Sequence, residues 1–463
     1  MTVEEKIRNR RIGVLGMARS GMGAAMQAKD LGGEPFVSDS ARAELLVRQT
    51  RSLQAASIPF EVGGHTERLL ECDYLVVSPG IPLDVPILKQ ARERGIPIFS
   101  EIEFASWICR GEIIAVTGSN GKTTTTTLLG QIFTEAGLDN QVCGNVGLPF
   151  SEVIRKIPTG GIAVVEVSTF QLETIADFRP HVALILNLTP DHLDRHGSFE
   201  AYKKLKYRVS ENQTGEDYLI LNADDSTIMG DAPESGATKL YFSAEESTDA
   251  DAFVKDGDLM TRFKGQEQKI IKVTDILIPG PHNLQNAAAA ACAAVVMGVE
   301  AATIAKVLRS FAGVEHRLEN VKKVAGIAFI NDSKATNVDA VCYALRSVNT
   351  PLYLIAGGRD KGADFSRIIE FGKGKIRGVV ALGEAKEKVF NILGKEFPVQ
   401  MVGSMEEAVG RCFEMAYPGE TVLLSPGCAS FDMFKDYEHR GRVFKQAVES
   451  LRNGKNKNET ISG

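Results

Sequence analysis

No C-x-x-C pair and no regular cysteine spacing occurs in this chain. Its seven cysteines are odd in number and scattered, which argues against a disulfide framework or a zinc site and for a reducing compartment. No basic block is long enough to follow a nucleic-acid backbone. Acids and bases are interspersed and sum to a formal charge of −6, so small anions are better partners than polymers. No apolar run approaches a membrane span, the longest being Ala287 to Met297. The opening M-T-V-E-E-K-I-R-N-R has neither an apolar core nor a cleavage site. These absences predict a soluble, cytoplasmic protein that meets neither nucleic acid nor membrane. At 463 residues the chain exceeds one hydrophobic core, which predicts about two to four domains.

What is present is organised around E-I-I-A-V-T-G-S-N-G-K-T-T-T-T-T-L-L-G, Glu112 to Gly130. An apolar strand, Ile113 to Val116, enters a glycine-punctuated turn, and Lys122 opens a helix. Backbone N–H groups of Gly118, Ser119, Asn120, Gly121 and Lys122 can then turn inward on an anion, with the helix N-terminus and the Lys122 charge behind them. Thr123 offers a hydroxyl to the Mg²⁺ that accompanies a triphosphate, with Thr124 beside it. The usual phosphate-loop pattern has glycine where this chain has Val116; the bland alternative is a Thr-rich helix cap.

Ahead of this loop, Arg11 to Leu15 reads as a strand, followed by G-M-A-R-S-G-M-G and a helix from about Gly21 to Leu31. Gly16, Ala18 and Gly21 occupy the three positions of the dinucleotide fingerprint, and Asp39 ends the next strand where a ribose- or base-binding acid belongs. Alanine in the middle position disfavours NAD and leaves room for another nucleotide diphosphate. The alternative is a purely structural first turn. A later strand, Tyr74 to Val77, empties into Ser78-Pro79-Gly80-Ile81-Pro82, a loop at a strand's carboxyl end that suits either ligand contact or a simple turn.

Behind the phosphate loop, the buried strand Ile162 to Val165 delivers Glu166, placed as the acidic partner of a nucleotide-bound Mg²⁺. A strand from Val182 to Asn187 ends in T-P-D-H-L-D-R-H, whose two acids and two histidines within six residues make either a candidate second cation site or a helix start capped by Asp191. Lys204 and Lys206 read as an ordinary basic helix face. Short β segments between Asp217 and Val273 predict a small antiparallel extension. Asn283 and Asn286 lie one turn apart at the start of an alanine-rich helix, where each suits either base binding or capping. From Gly313 on, three strands empty into loops rich in Gly, Ser, Asp and Lys: N-D-S-K-A-T-N, G-G-R-D-K-G-A-D-F and S-P-G-C-A-S-F-D-M-F. Parallel strands would bring Asp332, Lys334, Lys361 and Ser430 to one rim.

G-S-N-G-K-T-T, E-V-S-T-F-Q-L-E, T-P-D-H-L-D-R-H, G-P-H-N-L-Q-N-A, G-V-E-H-R-L-E, N-D-S-K-A-T-N and S-P-G-C-A-S-F-D-M-F follow one another in an order that resembles the Mur ligases, from Gly16 to Phe444. S-P-G-I-P, S-T-F-Q-L-E and the last motif are most similar to the D-glutamate-adding branch. The resemblance implies an α/β protein of three domains: residues 1–108, Rossmann-like and UDP-sugar-binding; 109–312, a phosphate-loop ATP domain with a small antiparallel sheet; and 313–463, a Rossmann-like amino-acid-binding domain. It implies ATP-dependent joining of D-glutamate to UDP-N-acetylmuramoyl-L-alanine through an acyl phosphate, a step of peptidoglycan synthesis, by a monomer.

The same resemblance implies roles at matching positions. Lys122 and Thr123 would hold the ATP phosphates and a first Mg²⁺ with Glu166; His192 would hold a second. Tyr202 in a Y-x-x-x-K pattern selects Lys206 as a lysine carbamylated by CO₂. Asn283, Asn286, Arg317 and Asp332 would surround the adenosine. Lys334, Thr336, Lys361, Ser430 and Phe431 would lie near the glutamate, and Ser20, Asp39, Ser40, Ser78 and Asn145 near the UDP-sugar. Rival readings are a sibling Mur ligase, a folylpolyglutamate-type ligase, or a nucleotide-sensing protein without catalysis.

Overall fold

The structure is a computed structural model that describes residues 2–190, 193–246, 249–278, 280–360 and 362–451. The chain divides into two compact units, Met1–Phe311 and Ala312–Gly463.

The first unit carries two sheets. The strands β1 (Arg11–Leu15), β2 (Glu34–Asp39), β3 (Phe60–Val62), β4 (Tyr74–Val77) and β5 (Ile98–Ser100) form a parallel sheet in the order β3-β2-β1-β4-β5. Both faces are covered, so β1 and β4 read as continuous apolar runs rather than alternating ones. The order reverses direction at β1, which puts a ligand crevice at the carboxyl ends of β1 and its neighbours.

The second sheet is built from β6 (Glu112–Thr117), β7 (Asn140–Gly144), β8 (Ile162–Glu166), β9 (Val182–Ile185), β10 (Tyr218–Asn222), β11 (Thr238–Glu246), β12 (Ala252–Lys255), β13 (Asp258–Phe263) and β14 (Gln266–Lys272). Its order is β14-β13-β12-β11-β10-β9-β6-β8-β7. Pairing is parallel from β7 to β12 and antiparallel only at β12-β13-β14. The antiparallel extension expected over Asp217 to Val273 is therefore confined to its outer end. β10 and β11 join the parallel sheet because the segment between them carries a short helix, Ser226–Gly230, and returns the chain in the same direction.

Two buried carboxylates tie the first sheet's last helix, Glu101–Ile108, to the central sheet. Glu103 accepts the backbone N–H groups of Ala176, Asp177 and Phe178 at 2.8–2.9 Å and the Trp107 indole N–H at 2.7 Å. Glu101 accepts Ser151 N–H at 2.6 Å, and burial raises its pKa. A carboxylate satisfied by several fixed donors keeps its place in the interior, and the same helix buries Ile102 and Ala105 in the central sheet's core.

The second unit holds β15 (Glu319–Val324), β16 (Ile327–Asn331), β17 (Leu352–Gly357), β18 (Ile376–Leu382), β19 (Val399–Met401) and β20 (Thr421–Leu424), ordered β15-β16-β20-β17-β18-β19. All pairs are parallel except β15 with β16. An antiparallel edge strand thus precedes the expected parallel sheet. The seven cysteines are free thiols. Among the described residues no helix is long and apolar enough to cross a membrane.

Candidate functional site

In the first unit the loop after β6 is braced from below by the segment after β9. Ser119 N–H donates to Asn187 O, Asn120 N–H donates to Asn187 Oδ1 at 2.8 Å, and Asn187 Nδ2 returns a bond to Asn120 O. Ser119 Oγ donates to Thr189 O and lies 3.0 Å from the Tyr202 hydroxyl. Val116, where the usual pattern has glycine, is fully buried in β6 opposite Glu166 and Leu184. A side chain fits there because the turn begins only at Gly118. Gly121 sits at φ +83°, and a Cβ there would run into Asn286 Oδ1, so this position needs glycine on both counts.

The helix Lys122–Glu135 starts from this loop. Lys122 Nζ donates to Gly118 O and Ser119 O at 2.7 and 2.9 Å, which holds the ammonium over the cradle. Thr123 and Thr124 are buried in its first turn. From the helix Pro281–Val296, buried Asn286 accepts from Thr125 Oγ1 and donates to Asn283 Oδ1. The structure thus brings both asparagines to the phosphate loop.

Glu166 ends β8 beside the loop. Its Oε1 accepts from Asn145 Nδ2 at 2.8 Å, while Oε2 is buried without a hydrogen-bond partner among the described residues. A buried carboxylate oxygen left over in this way fits a hard divalent cation that takes oxygen ligands. His192 and Asp191 lie outside the described residues. The other histidine of that motif, His196, lies 3.0 Å from Thr169 Oγ1 and 3.6 Å from the Glu173 carboxylate.

The helix Phe199–Tyr207 does not carry an ordinary basic face. Lys204 is exposed and Lys203 pairs with Asp231 and Glu200, but Lys206 is buried. Its Nζ donates to Gly118 O at 2.8 Å and lies 4.7 Å from the centre of the Tyr202 ring. Tyr202 and Lys206, one turn apart, both reach the phosphate loop, a choice that depends on how the helix is rotated against β6.

A cleft of ≈ 490 Å³ opens at the carboxyl ends of β1, β2 and β4. Ser20, Asp39, Ser40, Ser78 and Asn145, all named from sequence, line it together. Gly21 permits the tight turn below it, since a Cβ there would collide with Gly16 O. Ser78 Oγ is buried and has no hydrogen-bond partner among the described residues. Asp39 accepts Met17 N–H and Ala41 N–H at 2.6 and 2.8 Å, so its carboxylate also shapes the two loops. Asn145 lines this cleft and bonds Glu166, so one side chain links the cleft to the strand that pairs with β6.

In the second unit the loops after β16, β17 and β20 are joined by backbone bonds. Gly427 N–H donates to Ala335 O, Gly357 N–H to Pro426 O and Arg359 N–H to Ala429 O. Lys334 is half-buried, Thr336 and Phe431 are exposed, and Lys361 lies outside the described residues. Ser430 is buried rather than presented on a rim, and so is Asp332. Asp332 accepts Leu318 N–H at 3.2 Å and Ser425 Oγ–H at 2.8 Å, and burial pushes its carboxyl up to about 7. It fixes the segment that carries half-buried Arg317.

Three residues escaped the sequence reading. His65 and Gln171 line the cleft; His65 follows a strand's carboxyl end, the signal already used for Ser78. Arg440, fully buried, donates to Ser333 Oγ, Ser333 O and Cys428 O at 2.7–3.0 Å and so clamps two of the three loops. Nothing in Y-E-H-R-G-R marks it among the other arginines.

Residues 11–86 match the family model described as MurD N-terminal domain, 116–294 the Mur ligase middle domain, and 316–428 the Mur ligase, glutamate ligase domain. The chain is 41% identical over 451 residues to the UDP-N-acetylmuramoylalanine–D-glutamate ligase of Alkaliphilus oremlandii, covering 96% of this chain and 99% of that one. It is 42% identical to the same-named protein of Salinibacter ruber, covering 97% and 100%. Among solved structures, MurF from Acinetobacter baumannii shares the fold at TM-score 0.59 and 18% identity over 90% of this chain and 91% of that one. MurC from Thermotoga maritima does so at 0.56 and 20% over 96% and 100%.

Proposed function

The chain belongs to the Mur ligase family, among its ATP-dependent UDP-N-acetylmuramoylalanine–D-glutamate ligases, and from that premise we propose how its residues divide the joining of D-glutamate to UDP-N-acetylmuramoyl-L-alanine. The observation that carries the assignment is Asn145, which lines the cleft of the first sheet and holds the Glu166 carboxylate beside the phosphate loop. A nucleotide-sugar bound in that cleft can then extend its alanine carboxylate toward the γ-phosphate of ATP.

In this reading residues 1–108 hold the UDP-sugar through Ser20, Asp39, Ser40 and Ser78, with Asn145 from the next segment. Residues 109–312 hold ATP on the backbone of Gly118 to Thr124, with Asn283 and Asn286 toward the base. Lys122 neutralises the transferring phosphoryl group, the kind of charge stabilisation that dominates such steps. The alanine carboxylate oxygen attacks the γ-phosphorus, the bond to ADP breaks, and an acyl phosphate results. The amine of D-glutamate then attacks the acyl carbon, loses a proton and expels phosphate. Residues 313–463 hold that amino acid through Lys334, Thr336, Lys361 and Phe431, with Ser430 buried in the same loop as Phe431, and contribute Arg317 on the nucleotide side, its segment fixed by buried Asp332.

Glu166 and Thr123, with His192 and carbamylated Lys206, would hold two magnesium ions, which would offset the charge of triphosphate and carboxylate. Carbamylation joins Lys206 Nζ to the carbon of CO₂ with loss of a proton. No observation favours a folylpolyglutamate-type acceptor or a protein without catalysis.

The experiment is phosphate release with ATP and UDP-N-acetylmuramoyl-L-alanine, adding amino acids singly. Release should depend on D-glutamate. Equal release with L-alanine, a diamino acid or no amino acid overturns the assignment.

A further inference from the structure

His65 stands just past the carboxyl end of β3, half-buried, and lines the cleft. Its Nδ1 lies 2.7 Å from Ser38 Oγ, and Ser38 Oγ lies 2.7 Å from Glu61 Oε1. The hydroxyl has one hydrogen to give. Glu61 is buried in part, which raises its pKa, but bonds from Thr66 and Ser38 outweigh that and hold the carboxyl below its ordinary value. An ionised carboxylate only accepts, and the other oxygen within reach of Ser38 Oγ, Gly64 O at 3.4 Å, also only accepts. Ser38 must therefore donate away from His65 and accept from it. The imidazole is fixed with its hydrogen on Nδ1, which leaves Nε2 with a lone pair.

The place of the ring in the sheet says what that lone pair meets. The pyrophosphate cradle is the turn after β1. In such folds the acid ending β2, here Asp39, is at the level of the ribose. With the order β3-β2-β1, His65 lies one strand further out, at the level of the base. Burial, against the pull of the two carboxylates around it, Glu61 and Asp39, keeps the ring below its ordinary pKa, so it is neutral at pH 7.

We infer that His65, held as its Nδ1–H tautomer by Ser38 and Glu61, uses Nε2 to accept the imide N3–H of the uracil in this cleft. It is a specificity-determining residue of the nucleotide-sugar site, and this rests on the reading of the cleft as that site. The acceptor rejects a base whose corresponding edge offers no hydrogen.

Calorimetric titration of the full chain with UDP and with N3-methyl-UDP tests both claims separately. Wild type should bind UDP and prefer it over the methylated form by about tenfold, the worth of one satisfied hydrogen bond in a desolvated site. His65→Phe should lose about that factor for UDP and most of the preference. On acidification UDP affinity should fall more steeply in wild type, where Nε2 also takes a proton, than in the variant. ¹⁵N NMR of the wild-type imidazole, assigned with His65→Gln, should report Nδ1–H. Nε2–H, or a preference for UDP retained in His65→Phe, overturns the inference and leaves the nucleotide-sugar site standing. Equal loss of both ligands in His65→Phe also overturns it, because the ring is then only packing. Failure of wild type to bind UDP overturns the site and the inference together.

Discussion

Gly121→Ala makes the tightest test of the phosphate loop. Residue 121 sits at φ +83°, where a side chain costs about 1–2 kcal/mol. The added Cβ also meets Asn286 Oδ1, and moving that side chain loosens its bonds to Thr125 and Asn283, about 0.5–1.5 kcal/mol each. The total is about 2–5 kcal/mol. The free protein relieves this by letting the loop open, and ATP must close it again, so the cost falls on nucleotide affinity. An ATP KM raised about 30-fold or more is expected. Asn286→Ala alone removes the same bonds but leaves the loop conformation intact. In the double variant the collision is gone and only the φ cost remains, so Asn286→Ala should be cheaper on the Gly121→Ala background than in the wild type by about 1–3 kcal/mol. The assay is phosphate release against ATP at saturating donor and D-glutamate, with nucleotide binding measured in parallel. Additivity within about 0.5 kcal/mol would refute the reasoning, since the two residues then do not touch in the way described.

Lys206→Ala should be inactive with the fold retained, and a small carboxylate such as acetate or formate should restore part of the rate; absence of rescue argues against a carbamate. Arg440→Met leaves Ser333 O and Cys428 O buried without their donor, about 1–3 kcal/mol for each group. The D-glutamate KM should rise by more than the KM for the UDP-sugar, and an equal rise in both would reject the clamp. Asp332 carries a carboxyl raised from 3.8 to about 7 by burial. The folded state holds its proton more tightly than the unfolded one, so this group's contribution is fully present below about pH 4 and is lost as pH rises to about 7, by up to about 4 kcal/mol. Thermal unfolding at pH values across that window should show the decline, and Asp332→Asn should lack it.

Much of the site was legible because its signals are local. An apolar run, a glycine turn and a lysine opening a helix are neighbours in the chain, and the expected strands Arg11 to Leu15 and Tyr74 to Val77 match the observed ones residue for residue. The strand-end logic also placed Asp39 and Ser78, while Ser20, Ser40 and Asn145 came from the resemblance, and all five line one cleft. The place of β13 is set by its pairing with β12 and β14 on either side.

The sequence by itself thus determined the alternation of strands and helices and the phosphate loop from local pattern, and the family and most crevice residues through the resemblance its motifs carry. Tertiary structure decided what depends on rotation and pairing between distant segments. It turned Lys206 rather than Lys204 onto Gly118, drew Asp332 and Ser430 inward, and extended parallel pairing through β10 and β11. It also joined Asn145 to Glu166 and set the proton of His65 through Ser38 and Glu61. The physical reason is common to all of these. A periodicity tells which face of an element is apolar, but the partner of a buried polar group is whichever atom the packed sheet brings within hydrogen-bond distance.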